Sequence, residues 1–123
     1  MKLLIVGSRS IQQFDLEPYL PSHIDLIISG GANGIDTIAE QYADKHRISK
    51  FIMRPSYSSH GRSAPLKRNE KMVEFADSIL VIWDGVSKGT LYTIEYAQKQ
   101  NKPIRVIHIN EKETHDAPIN TIS

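Results

Sequence analysis

A chain of 123 residues, 40% hydrophobic and 24% charged, has room for one globular domain with an ordinary core. Its formal net charge of +1 excludes a polybasic, histone-like protein, though not a local basic patch. The absence of cysteine excludes a disulfide framework, a cysteine zinc site, an iron–sulfur cluster and a catalytic thiol, and it suits a cytoplasmic setting.

The chain opens on Met1-Lys2-Leu3-Leu4-Ile5-Val6-Gly7. Four apolar residues are too few for a signal peptide or a membrane span, so they read as a first strand. Gly7-Ser8-Arg9-Ser10 follows, a turn in which two hydroxyls and a guanidinium crowd one rim. The next connection carries Pro18 and Pro21 and predicts only a short or irregular helix. A second apolar run, residues 24–28, leads into Ser29-Gly30-Gly31-Ala32-Asn33-Gly34-Ile35-Asp36. Ile35, Ile38, Ala39, Tyr42, Ala43 and His46 then recur at helical spacing. Glycines running into a helix start offer close backbone approach, free N–H groups and the positive end of a dipole, which suits a phosphate. Ala32 breaks the Gly-x-Gly-x-x-Gly pattern and no Gly-Lys-Ser/Thr follows, so a dinucleotide fingerprint and a Walker loop are disfavoured. Asp36 has two readings: a carboxylate that favours the helix dipole and caps N–H groups, or one that binds a ribose hydroxyl or holds a neighbouring loop.

A third short run, residues 51–53, precedes a Ser-rich stretch with Tyr57, His60, Gly61 and Arg62 that could act as a lid. Pro65 starts the next helical pattern, through Leu66, Asn69, Met72, Val73 and Ala76, with Lys67 and Arg68 near the strand-end rim. The fourth run, residues 79–83, ends in Trp83, which either covers a base or packs. It leads into Asp84-Gly85-Val86-Ser87-Lys88-Gly89-Thr90, a second glycine-bearing helix start where Lys88 and the hydroxyls could meet an anion. The helix from Gly89 runs to Asn101, where Lys102-Pro103 stops it, and residues 104–109 form the fifth run. β-Branched runs without alternation, separated by helices, predict a doubly wound, three-layer α/β domain with a parallel sheet over residues 1–109. Residues 110–123 read as a polar tail or an edge strand. The five histidines lack metal-ligand spacing and read as structural, and no metal or cofactor is expected.

Taken in order, Ile5-Val6-Gly7-Ser8-Arg9, Ser29 through Asp36, Lys67-Arg68-Asn69, Ala76-Asp77-Ser78 and Ser87-Lys88-Gly89-Thr90 resemble the SLOG superfamily, most closely its small YspA-type, YpsA-related branch. The resemblance spans about residues 2–109. It implies a Rossmann-like sheet of order 3-2-1-4-5, a nucleotide or nucleotide-derived ligand on the glycine loops, and homo-oligomers paired through helices flanking the site. The expected site places phosphate over Gly30, Gly31 and Gly34 and against Gly89 and Thr90. Ser8, Arg9 and Arg68 supply charge or hydrogen bonds, and Asp36, Asn69 and Asp84 orient sugar or loop. Gly7, Ser29, Ala32, Asn33 and Ser87 complete the rim. Two related branches imply alternatives. The Lonely Guy phosphoribohydrolases cleave the N-glycosidic bond of nucleotides, and Arg68 matches their arginine. Their catalytic glutamate falls here on Thr93, and Glu95 lies about 200° further round the helix. Asp84 is then the candidate acid. The Rossmann-like domain of DNA-processing protein A, with similar Gly-Ser-Arg and glycine-loop signatures, implies a single-stranded-DNA module.

Overall fold

The structure, a computed structural model, describes residues 1–109 and the backbone of 120–122. Strand β1 (Lys2–Gly7) lies inside a sheet of order β3-β2-β1-β4-β5-β6, with β2 (Leu26–Ser29), β3 (Ser49–Ile52), β4 (Ser78–Trp83) and β5 (Ile104–His108) all parallel. β6 (Asn120–Ile122) pairs antiparallel with β5, the edge strand foreseen as one option for the tail. The helices are α1 (Ile35–Lys45), α2 (Tyr57–His60), α3 (Ala64–Phe75) and α4 (Lys88–Lys99). This is the doubly wound, Rossmann-like α/β architecture expected from the sequence.

Successive residues of a strand point to opposite faces. Leu3 and Ile5 of β1 therefore join Ile27, Leu80, Ile82 and Ile107 under α1, which contributes Ile35, Ala39 and Ala43. Leu4 and Val6 join Ile28, Ile79, Val81 and Val106 under α3 and α4, which contribute Met72, Val73, Ile94 and Ala97. An unbroken apolar run is what a strand covered on both faces requires. The proline-bearing connection forms only a 3-10 turn, Glu17–Tyr19, and Ile11 and Leu16 beside it complete the α1 side.

Several boundaries differ from the sequence reading, α4 ending at Lys99 and β5 at His108 among them. β2 starts at Leu26 because Ile24 packs instead against the α1-side core. β3 starts at Ser49 and is mostly exposed, since it is the sheet edge; Phe51 is half-exposed and meets Phe75 edge to face, 5.8 Å between ring centroids. The Ser-rich stretch is α2 followed by a 3-10 turn, Gly61–Ser63, that runs directly into α3. Among the described residues no helix is long and apolar enough to cross a membrane.

Candidate functional site

The chain leaves β1 toward β2 and leaves β4 toward β5, in opposite directions along the sheet. Such a switch point opens a crevice at the carboxyl ends of the two strands, where ligands bind in open α/β sheets. Here the two loops are stapled together below the crevice. Ser8 is buried; its N–H donates to the Ile82 carbonyl at 3.1 Å, and its hydroxyl accepts the Asp84 N–H at 3.0 Å. Asp84 in turn accepts the N–H groups of Val86 and Ser87 on Oδ1, at 2.9 and 2.8 Å, and the Ser10 hydroxyl on Oδ2 at 3.0 Å. Burial alone would raise the Asp84 pKa, but these N–H and hydroxyl donors outweigh it and hold the carboxyl below the usual 3.8.

A depressed folded pKa gives stability that is full above the unfolded value and lost as pH falls through the folded one. Asp84→Asn should therefore lower stability by about 1 kcal/mol at neutral pH. Urea midpoints of wild type and variant should converge as pH falls through the acid limb; parallel curves down to the most acidic point would refute the assignment. Asp36 has the opposite sign. Burial raises its pKa, with the Ala32 N–H and then the Arg68 charge opposing, so protonating it relieves a cost of folding.

The glycine loop after β2 is organised from within. Ser29 is buried, accepts the Gly31 N–H at 3.2 Å and donates to Glu40 Oε2 at 2.6 Å. Asp36, 6% exposed, accepts the Ala32 N–H at 3.1 Å. Of its two readings, this geometry supplies the one in which it holds a loop. The start of α1 is occupied by protein: the Ile35 N–H donates to the Ser8 carbonyl at 3.4 Å, and Gly34, at φ 75°, faces the Ser8 and Arg9 backbone. Gly7 abuts the Ile82 carbonyl and the Ile35 side chain. Gly7 and Gly34 thus permit close approach of protein to protein.

Arg68 joins the loops to α3. It turns inward from the helix and is only 8% exposed. Nη1 donates to the Gly30 carbonyl and, at 3.3 Å, to that of Met53, and Nε donates to Asn69 Oδ1 at 2.8 Å. No acceptor for Nη2 is found among the described residues. Burial draws the guanidinium's pKa below its ordinary value, and the nearby Asp36 carboxylate opposes that. Lys67, expected at the same rim, lies on the exposed face beside Glu70 at 3.8 Å.

The crevice holds about 320 Å³. Arg9, Arg68, Asp36 and Asp84 supply its charge; Ser10, Asn69, Ser87, Thr90 and Thr93 its neutral polar groups; Val6, Pro65, Leu66 and Met72 an apolar wall. Ser87 caps α4, its hydroxyl accepting the Thr90 N–H at 3.4 Å and lying 3.0 Å from the Thr90 hydroxyl. Gly89 has no atom within 4 Å of where a Cβ would stand, so α4 begins beside open space. Of the residues expected from sequence, Gly7, Arg9, Ala32, Asp36, Arg68, Asn69, Asp84, Ser87, Gly89 and Thr90 line this crevice. Ser8, Ser29, Gly30, Gly31, Asn33 and Gly34 do not. Gly30, Gly31 and Asn33 line a separate groove instead, with Arg54 and Tyr57. Trp83 packs, donating its indole N–H to the Ser87 carbonyl at 3.1 Å. Thr93, Met72 and Arg54 were missed as lining residues. Arg54 follows β3 and stands where the strand-end rule would have found it.

The domain is of the doubly wound α/β class, and its mixed-charge crevice lies at the switch point of the sheet. No protein-family model and no solved structure matches the chain. The Gene 61 protein of Mycobacterium phage D29 is 32% identical over 85 residues, which span 64% of this chain and 68% of that protein. The chain belongs to the family of that phage protein.

Proposed function

We propose that the protein is a small SLOG-type domain that binds a nucleotide or nucleotide-derived ligand in the β1–β4 crevice. The observation that carries this reading is the open start of α4 above Gly89, facing two arginines and two carboxylates in one crevice. Unpaired N–H groups at a helix start favour a phosphate, and Thr90 adds a hydroxyl. Arg9 and Arg68 supply positive charge, while Asp36, whose Oδ1 carries no hydrogen bond among the described residues, can accept a hydroxyl of a sugar. The apolar wall of Pro65, Leu66 and Met72 suits the face of a base.

Binding is favoured here over glycosidic cleavage. Cleavage through an oxocarbenium-like state wants a carboxylate beside the reacting carbon. The position of the family glutamate is Thr93, whose hydroxyl donates to the Gly89 carbonyl at 3.0 Å, and Glu95 lies on the exposed side of α4. Asp84 already accepts bonds on both oxygens.

The test is a thermal-shift and calorimetry panel of nucleoside monophosphates, cyclic nucleotides and ADP-ribose, with chromatography for released base. A ligand at about 100 times its Kd adds about 2.7 kcal/mol and raises Tm by several degrees in a domain of this size. A Cβ at Gly89 meets nothing within 4 Å, so Gly89→Leu should fold, as circular dichroism would verify, and lose the shift. A Gly89→Leu protein that binds as wild type sinks the proposal; released base would move it toward the hydrolase reading.

A further inference from the structure

The groove on the far side of the glycine loop has a different electrical character from the crevice. It holds about 430 Å³ and shares Arg9, Ala32 and Arg68 with the crevice, so the two adjoin at these residues. Arg54 adds a third guanidinium, and no acidic side chain lines the groove, whereas the crevice balances its two arginines with Asp36 and Asp84. Gly30 and Gly31 bring bare backbone to its floor, and Tyr57, 61% exposed, stands at its wall beside Pro55. Among the described residues Arg54 makes one long hydrogen bond, 3.4 Å to the Gly31 carbonyl. The nearly buried Arg68 has one guanidinium nitrogen, Nη2, without an acceptor among the described residues.

We infer that this groove is a second phosphate subsite, so that the ligand carries at least two phosphates, one in the crevice and one in the groove. The inference rests on the crevice reading given above. Three guanidiniums, of which only Arg68 has a carboxylate, Asp36, beside it, recognise a phosphate anion, and Arg forks suit its oxygens. An exposed tyrosine beside them offers a face on which a base stacks. Two sources supply this chemistry: a pyrophosphate linkage, or a second phosphodiester along a short oligonucleotide.

Arg54 and Tyr57 are exposed, so Arg54→Gln and Tyr57→Ala should both fold, as circular dichroism would verify. Calorimetry would compare AMP, ADP, the 5′-phosphorylated dinucleotide pApA and inorganic pyrophosphate. The expected result is that ADP or pApA binds about tenfold tighter than AMP or more, and that Arg54→Gln removes this gain while leaving AMP unchanged. Tyr57→Ala should weaken pApA alone. A gain for ADP names the pyrophosphate source, and a gain confined to pApA names the phosphodiester. Equal affinity for AMP and both two-phosphate ligands overturns the subsite, as does a gain that survives Arg54→Gln. Pyrophosphate binding that Arg54→Gln weakens, together with AMP binding that ignores Gly89→Leu, would keep the groove and overturn the crevice reading instead.

Discussion

Gly34→Val is expected to cost about 4 kcal/mol or more, enough to leave little folded protein. Gly34 sits at φ 75° and ψ −127°, a conformation that L side chains with a Cβ rarely adopt. A Cβ there would lie 2.5 Å from the Ser8 carbonyl oxygen and 2.6 Å from that of Arg9. Both are backbone atoms of the loop that also anchors Asp84 through Ser8, so neither can swing aside as a side-chain tip could. Gly89→Ala provides the contrast. That glycine lies in the first turn of α4 with nothing near its missing Cβ. The substitution should stabilise the protein by about 0.5–1 kcal/mol, because it removes backbone freedom from the unfolded chain. Urea denaturation of the two variants separates a glycine that the fold requires from one that leaves room for a ligand. A Gly34→Val protein with wild-type stability would show that the two loops do not pack as described.

Replacing Arg68 has the second large effect. Arg68→Met should lower stability by about 3 kcal/mol, because the Gly30 and Met53 carbonyls lose their donor and the buried Asp36 carboxylate loses its nearest compensating charge. Methionine keeps the packing along the stem, which isolates the polar loss. Adding Asp36→Asn should recover part of it, a coupling of about 1 kcal/mol, since the neutral amide no longer needs that charge and its oxygen can still accept the Ala32 N–H. Strict additivity in the double-mutant cycle would mean that the two groups act independently. Arg68→Lys should not rescue: a single ammonium cannot reach Gly30, Met53 and Asn69 at once. Arg68 is thus a structural bolt as well as a wall of both cavities, and a loss of ligand binding in its variants must be read together with their stability.

Much of the architecture was legible because burial on two faces leaves a plain mark. Leu3-Leu4-Ile5-Val6 and Ile79-Leu80-Val81-Ile82 cannot be half-exposed strands, and both run between two apolar layers. The spacing of Ile35, Ala39 and Ala43 marked the face of α1, and Pro65 marked the start of α3. The edge strand β3 was read less well. Its residues are mostly exposed, so no apolar periodicity announces where it begins. The candidate site was legible as a set of loops, because the glycine clusters and the strand-end rule both point to the same rim.

What the loops do there was a different matter. Ser8, Ser29, Gly7 and Gly34 look like ligand-facing residues when only local chemistry is considered, since small and hydroxyl side chains near glycines suit a phosphate equally well. Their partners are distant in sequence: Ile82 and Asp84 for Ser8, Glu40 for Ser29, the Arg9 backbone for Gly34. Whether such a residue faces protein or solvent depends on which loop the strand order sets beside it. The chain alone determined a doubly wound domain with glycine-bearing loops at one end of its sheet, because short-range periodicity and backbone permissiveness are local properties. Only the tertiary structure decided that Ser8 and Gly34 bind the loops to each other, that Gly89 faces open space, and that Arg68 lines both a mixed-charge crevice and an all-cationic groove. Those outcomes follow from β1 and β4 lying side by side with α3 packed against one face of them, an arrangement set by contacts between residues far apart in the sequence.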